Sequence, residues 1–263
     1  MTTISPLPRA LMMLLSIITW AGCGSDSNNP DAAPLEDATL EARSDVLVTQ
    51  TRSFFLGFTP QVHDISQEAI DFVYQGIEDN SDMIVHHLDE GVPWPEMLAG
   101  SDFPPRVLAD LEGRRGLTPK GHQILLTASP MSQDRKTIAG YWNEDARQPL
   151  PGTWQSKTLA DQDVISAYTH YCLRLIEFFQ PDYFAYAIEV NGGLKRGDPE
   201  LAEFLTLAES VYGTLKERHP TLPIMITVQA VAFDKTHQEV LDVTGDLLVH
   251  SDTVALSTYP YWL

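Results

Sequence analysis

Segments with strand pattern and segments with helix pattern alternate along this chain from Phe54 onward, and that alternation constrains the fold more than any other feature. Short apolar runs at Phe54 to Thr59, Met83 to Leu88, Ile124 to Ala128, Tyr183 to Val190, Ile224 to Val228 and Val254 to Tyr259 read as six strands. Helical spacing fills the gaps between them. Ser66 suits an N-cap, with Ile65 placed to staple onto Ile70, and Val73, Tyr74 and Ile77 continue the stripe. Further helices are expected around Pro104 to Leu111, over Asp161 to Phe179, after the Asp198-Pro199 pair, and over Thr236 to Val249. Strands joined by helical crossovers form a parallel sheet, and eight such units close into a barrel of roughly 250 residues. The sixth strand reaches the last residues of the sequence. The expected fold is therefore α/β, an incomplete (β/α)8 barrel of the TIM type with six parallel strands present and the last two βα units missing. Such a remnant leaves two open sheet edges, through which the isolated chain is expected to aggregate or be proteolysed.

The N-terminus carries Arg9 and then an apolar run from Ala10 to Trp20, too short for a bilayer span and right for the core of a signal peptide. The run ends in Trp20-Ala21-Gly22-Cys23, which resembles a bacterial lipobox, although Trp stands where Leu is usual. Residues 1–22 are thus expected to be a lipoprotein-type signal, with Cys23 the lipidation site, and the protein to be exported and anchored in the cell envelope. The membrane would be touched through the lipid anchor alone. Residues 23–50 are rich in Ser, Asn, Asp, Pro and Ala without periodicity and read as a disordered acidic tether. Residues 51–263 are expected to form the partial barrel. With Cys23 acylated, Cys172 has no disulfide partner, and its place on a helical stripe suits a buried packing role.

The formal net charge of −19 argues against a nucleic-acid partner, because phosphate binding needs clustered Lys and Arg. A neutral or cationic substrate fits better, although acidity also serves solubility alone. No cofactor is expected: Gly192-Gly193 lacks the lysine and hydroxyl residue of a phosphate loop. Ser129 and Ser132 lack a nucleophile elbow. His86, His87 and Asp89 invite a metal reading, but adjacent strand residues point to opposite faces, so no metal site is expected there. His86 should pack outward under a helix. His87 and Asp89 are candidates for hydrogen bonding to a substrate.

In barrels of this kind chemistry sits at the C-terminal ends of the strands. Trp94 follows strand two, Trp142 and Trp154 lie in a long aperiodic stretch after strand three, and Trp262 follows strand six, all on the same expected face. Flat apolar rings with a polar edge suit sugar faces, the alternative being that some of them plug the barrel mouth. Glu189 ends strand four in Ala187-Ile188-Glu189-Val190-Asn191. A carboxylate in an apolar strand is costly to ionise unless paired, which is what a general acid needs; a buried cation holding it is the structural alternative. Asn191 shares strand parity with Glu189 if the strand runs that far, and would then line the same pocket.

Glu189 together with Ala255-Leu256-Ser257-Thr258-Tyr259-Pro260-Tyr261-Trp262 resembles the retaining (β/α)8 glycoside hydrolase clan, and within it the arabinogalactan endo-β-1,4-galactanase family, over about Phe54 to Leu263. The resemblance implies that Glu189 is the acid/base, that Tyr259 borders the catalytic subsite, and that a Glu ending a seventh strand is the nucleophile. It implies a polysaccharide or oligosaccharide as partner, possibly a β-galactan. Two departures stand out. The clan usually has Asn before the acid/base, where this sequence has Ile188, and the seventh strand is not in this sequence. Retention needs two carboxyls about 5 to 5.5 Å apart, so this chain is expected to hold only the acid/base half and to be inactive alone. The competing expectation is a carbohydrate-binding lipoprotein with a degenerate barrel.

Overall fold

The computed structural model describes residues 52–230 and 235–258. The expected lipidation site Cys23, the signal and tether around it, and Tyr259 and Trp262 all lie outside the described residues. In chain order the elements are β1 (Gly57–Phe58), α1 (Gln67–Asn80), β2 (Met83–Leu88), α2 (Trp94–Leu98), α3 (Pro105–Gly116), β3 (Gln123–Ala128), α4 (Gln162–Phe179), β4 (Tyr183–Ala187), α5 (Val190–Gly193), α6 (Pro199–Arg218), β5 (Ile224–Gln229), α7 (His237–Leu247) and β6 (Val254–Ser257).

The six strands pair in sequence order, each parallel to the next. When every crossover runs to the adjacent strand with the same hand, all helices fall on one face of the sheet. The sheet accordingly curls into a half-barrel of the (β/α)8 type, helices outside and a concave face within. On β2 burial follows the strand period. Ile84, His86 and Leu88 face the helices and are buried, while Met83, Val85 and His87 stand on the concave side and are more open. Phe184 and Tyr186 of β4 are buried against α4 and α6, the Tyr168 hydroxyl donating to the Tyr186 carbonyl over 2.7 Å. Tyr168, Tyr171, Leu175 and Phe204 complete this core. Cys172 lies inside it as a buried thiol whose pKa is pushed up by burial.

Local sequence chemistry sets several helix starts. Ser66 caps α1 by accepting from the Ala69 N–H, and Thr236 with Glu239 forms a reciprocal capping box at α7. Pro199 occupies the first turn of α6, but the Asp198 carboxylate turns back to the Lys195 N–H instead of capping that helix.

Three expectations fail. Ile65 is fully exposed, so the staple onto Ile70 does not form. The first strand shrinks from Phe54–Thr59 to two paired residues, because only β2 offers it a ladder and Phe54, Phe55 and Phe58 remain exposed. The fourth strand ends at Ala187, after a register shift between Ala185 and Ala187, and the chain turns into α5 through a left-handed Glu189. At the far edge, Val254 and Leu256 lie on the helix side of β6 and are more than half exposed.

Candidate functional site

The C-terminal ends of β2 to β5 converge with three loops. The loop after β2 carries Asp89 and Glu90; the long segment from Ser129 to Asp161 after β3 folds down on it. Val92 N–H donates to the Gly140 carbonyl, Trp142 N–H to the Val92 carbonyl and Arg147 N–H to the Glu90 carbonyl. Gly91 permits this approach: at φ 122° a Cβ there would lie 2.3 Å from the Gly140 oxygen. The aperiodic stretch is therefore an ordered clamp, held by short bridges that pair Met131 with Ile138 and Tyr141 with Gln148.

The three described tryptophans, Trp94, Trp142 and Trp154, are buried in and around this clamp. Trp94 is fully buried, stacks on Trp154 at 5.5 Å between ring centres, leans on Tyr168, and donates from Nε1 to the Ala139 carbonyl over 2.8 Å. Trp142 and Trp154 are buried as well. Of the four tryptophans expected as sugar platforms, the three described are corrected to a hydrophobic anchor, as the alternative of packing at the barrel mouth had it: the indoles bury more apolar area inside the fold than they could by facing water.

The polar residues of the mouth gather over the concave face. His87 pairs across the sheet with Thr127, whose hydroxyl meets Nδ1 at 2.9 Å. Its ring keeps an open edge, yet the surrounding walls strip enough water to lower its pKa, against the upward pull of Asp89, Glu90 and Glu189; Arg135 adds to the lowering. Asp89 is ion-paired with Arg135 at 3.1 Å, and Arg135 is almost fully buried in a left-handed conformation at φ 59°. His86 turns away under the helices as expected. It meets the Thr118 hydroxyl at 2.8 Å, packs near Phe179, and has its pKa lowered to about 4 by burial and then by the Arg114 charge. Among the described residues no cluster of metal-ligating side chains occurs.

Glu189 sits at φ 49°, ψ 40°, a left-handed conformation that L-residues adopt at a cost of about 1 kcal/mol or more. Such strain often marks functional positions. Two β5 side chains engage it: the Glu189 N–H donates to the Thr227 hydroxyl over 2.8 Å, and Gln229 Nε2 donates to Glu189 Oε2 over 2.8 Å. The next turn is packed against the Arg135 loop, where a Cβ on Gly193 would lie 2.3 Å from the Asp134 carbonyl.

Asn191 is corrected. With the strand ending at Ala187 its parity with Glu189 is lost; it is fully buried and reaches instead to β5 and α7, bonding the Gln229 main chain and the Thr244 hydroxyl. Sequence reasoning missed Arg135, Thr227 and Gln229. Thr227 and Gln229 carry a usable signal, since both share the concave parity of β5. Arg135 carries none, because its place depends on how an aperiodic loop folds.

A cleft of about 490 Å³ opens beside Asp89, lined also by Met131, Ser132, Asp134, Arg147 and Leu150. A larger cavity of about 690 Å³ lies at the opposite end of the sheet, where Asp182 and Pro223 lead into β4 and β5, remote from Glu189.

No family model matches the sequence, and no curated protein matches it. Among solved structures the chain is similar to a GH53 catalytic domain from Ignisphaera aggregans, with 17% identity and a TM-score of 0.45, over 73% of this chain and 52% of that one. It is similar to GH5_18 from Streptomyces cattleya in complex with GlcNAc, with 13% identity and a TM-score of 0.49, over 75% and 47%. An exo-beta-1,4-mannosidase from Opitutaceae bacterium strain TAV5 gives 10% identity and a TM-score of 0.44, over 66% and 31%. The chain spans about half or less of the length of these proteins.

Proposed function

We propose that this chain carries the acid/base half of a retaining glycoside hydrolase-like protein, exported, lipid-anchored through Cys23, and acting on a polysaccharide such as a β-galactan. The observation that carries the reading is Glu189 itself: a carboxylate in a left-handed turn at the C-terminal end of β4, bonded to Gln229. His87 faces the same mouth, with the Asp89–Arg135 pair walling it. In the first half of the reaction Glu189 protonates the glycosidic oxygen as the sugar departs, and in the second it takes a proton from water. The nucleophilic carboxylate is assigned, in this reading, to a seventh strand outside these 263 residues. With the three described indoles in the core, sugar contacts fall to His87, to the cleft beside Asp89, and to Tyr259 and Trp262.

Ile188 favours a second reading, a carbohydrate-binding protein on a degenerate barrel, because a buried isoleucine stands where the resembled clan has a substrate-binding Asn. One experiment separates the two. In the full-length protein Glu189→Gln should cut hydrolysis of β-1,4-galactan by roughly 10² to 10⁴-fold while calorimetric binding of galacto-oligosaccharides persists. Unchanged hydrolysis removes Glu189 from the role, and binding without hydrolysis by the unaltered protein selects the second reading.

A further inference from the structure

Among the described residues the contacts around Glu189 form a network that the resemblance does not supply. Asn191 Oδ1 accepts from the Gln229 N–H at 2.7 Å and its Nδ2 donates to the Gln229 carbonyl at 2.9 Å, so one buried amide holds both main-chain polar groups of Gln229. Gly192 faces the Gln229 side chain, and a Cβ there would stand 3.0 Å from its Cδ, Oε1 and Nε2. The Gln229 amide thus lies in a slot between Gly192 and the Glu189 carboxylate, on a backbone that Asn191 fixes. Lys235 Nζ joins this network by donating to the carbonyls of Asn191 and Gly192.

We infer that Gln229 is a positioning residue for Glu189, resting on the reading of Glu189 as general acid. An N–H donated to Oε2 competes with a proton on that oxygen and directs the proton to Oε1. Oε1 then gives the proton to the glycosidic oxygen while the C1–O bond breaks, the bonding pair stays with that oxygen, and the carboxylate nucleophile takes C1. Rotation of the carboxyl would move the proton off this line, and a displacement near 1 Å is enough to cost about a hundredfold in rate.

The test uses leaving groups. The full-length protein is assayed on β-1,4-galactotriose, whose departing sugar needs a proton, and on 2,4-dinitrophenyl β-1,4-galactobioside, whose phenolate leaves without one. Gln229→Met keeps length and contact with Gly192 but donates nothing; Gln229→Glu keeps the shape and removes the neutral donor. Both should lower kcat/KM on galactotriose about ten- to a hundredfold and leave kcat/KM on the dinitrophenyl probe within about twofold. Equal losses on both probes mark Gln229 as merely structural, and no loss on either leaves it idle; each overturns the inference while Glu189→Gln still disables galactotriose cleavage. If Glu189→Gln has no effect, or the unaltered protein cleaves neither probe, the hydrolase reading fails and takes the inference with it.

Discussion

Arg135 donates to the Asp89 carboxylate at 3.1 Å from a backbone held in the left-handed region, so the loop after β3 and the loop after β2 are joined by an ion pair at a strained residue. Arg135 also reaches the Ser132 carbonyl at 3.2 Å. Because the guanidinium is almost completely covered, removing its partner strands a charge. Asp89→Ala should destabilise by about 3 kcal/mol, with Asp89→Asn recovering part of the loss through its remaining oxygen acceptor. Urea unfolding followed by fluorescence measures both. A cost below about 0.5 kcal/mol for the alanine variant would show that the pair behaves as an exposed one.

Trp94 ties three segments together: its own helix, the 3₁₀ turn bearing Trp154, and α4 through Tyr168. Trp94→Ala should cost about 3 to 5 kcal/mol, and Trp94→Phe less, since the phenyl ring fills much of the space and forgoes only the bond to Ala139. Thermal unfolding ranks the two. If the indole were instead a sugar platform, both variants would melt like the parent and lose oligosaccharide affinity.

His86 makes stability depend on pH in a definite direction. Its pKa falls to about 4 in the folded protein, against 6.5 for an ordinary histidine. Between those values the unfolded chain binds a proton that the folded one refuses, so stability declines as pH drops from about 6.5 toward 4, by on the order of 3 kcal/mol in all. His86→Gln keeps a partner for Thr118 and cannot titrate. Its stability profile, taken by urea unfolding at intervals from pH 7 to 4, should lack that component; parallel profiles for parent and variant would reject the assignment.

Gln180 follows α4 in a left-handed conformation at φ 50°, a position where glycine carries no Cβ penalty. Gln180→Gly should therefore raise stability by about 0.5 to 1 kcal/mol, read from the urea midpoint at unchanged slope. A decrease would mean that the side chain contributes more than the strain costs.

Periodicity carried the fold class because it reports which side of each element meets the core. The strict alternation on β2 separates His86 from His87, and the 3.6-residue stripe of α4 marks Tyr168, Tyr171 and Leu175 as buried. Those are local properties, fixed by the geometry of strand and helix wherever the element packs. The unread part lies where no period exists. Three described tryptophans have the right place for a platform, and only the descent of the long loop onto α4 decided that they are core. Glu189 was visible as an acid ending a strand, but its left-handed turn was not, because no local pattern marks a non-glycine residue for positive φ. Asn191 and Gln229, 38 residues apart, meet only once β4 and β5 are paired. The sequence alone determined which residues could line a strand end; the tertiary structure decided which of them face one another, since side-chain contacts across a parallel sheet are set by register and loop packing, which local pattern does not encode.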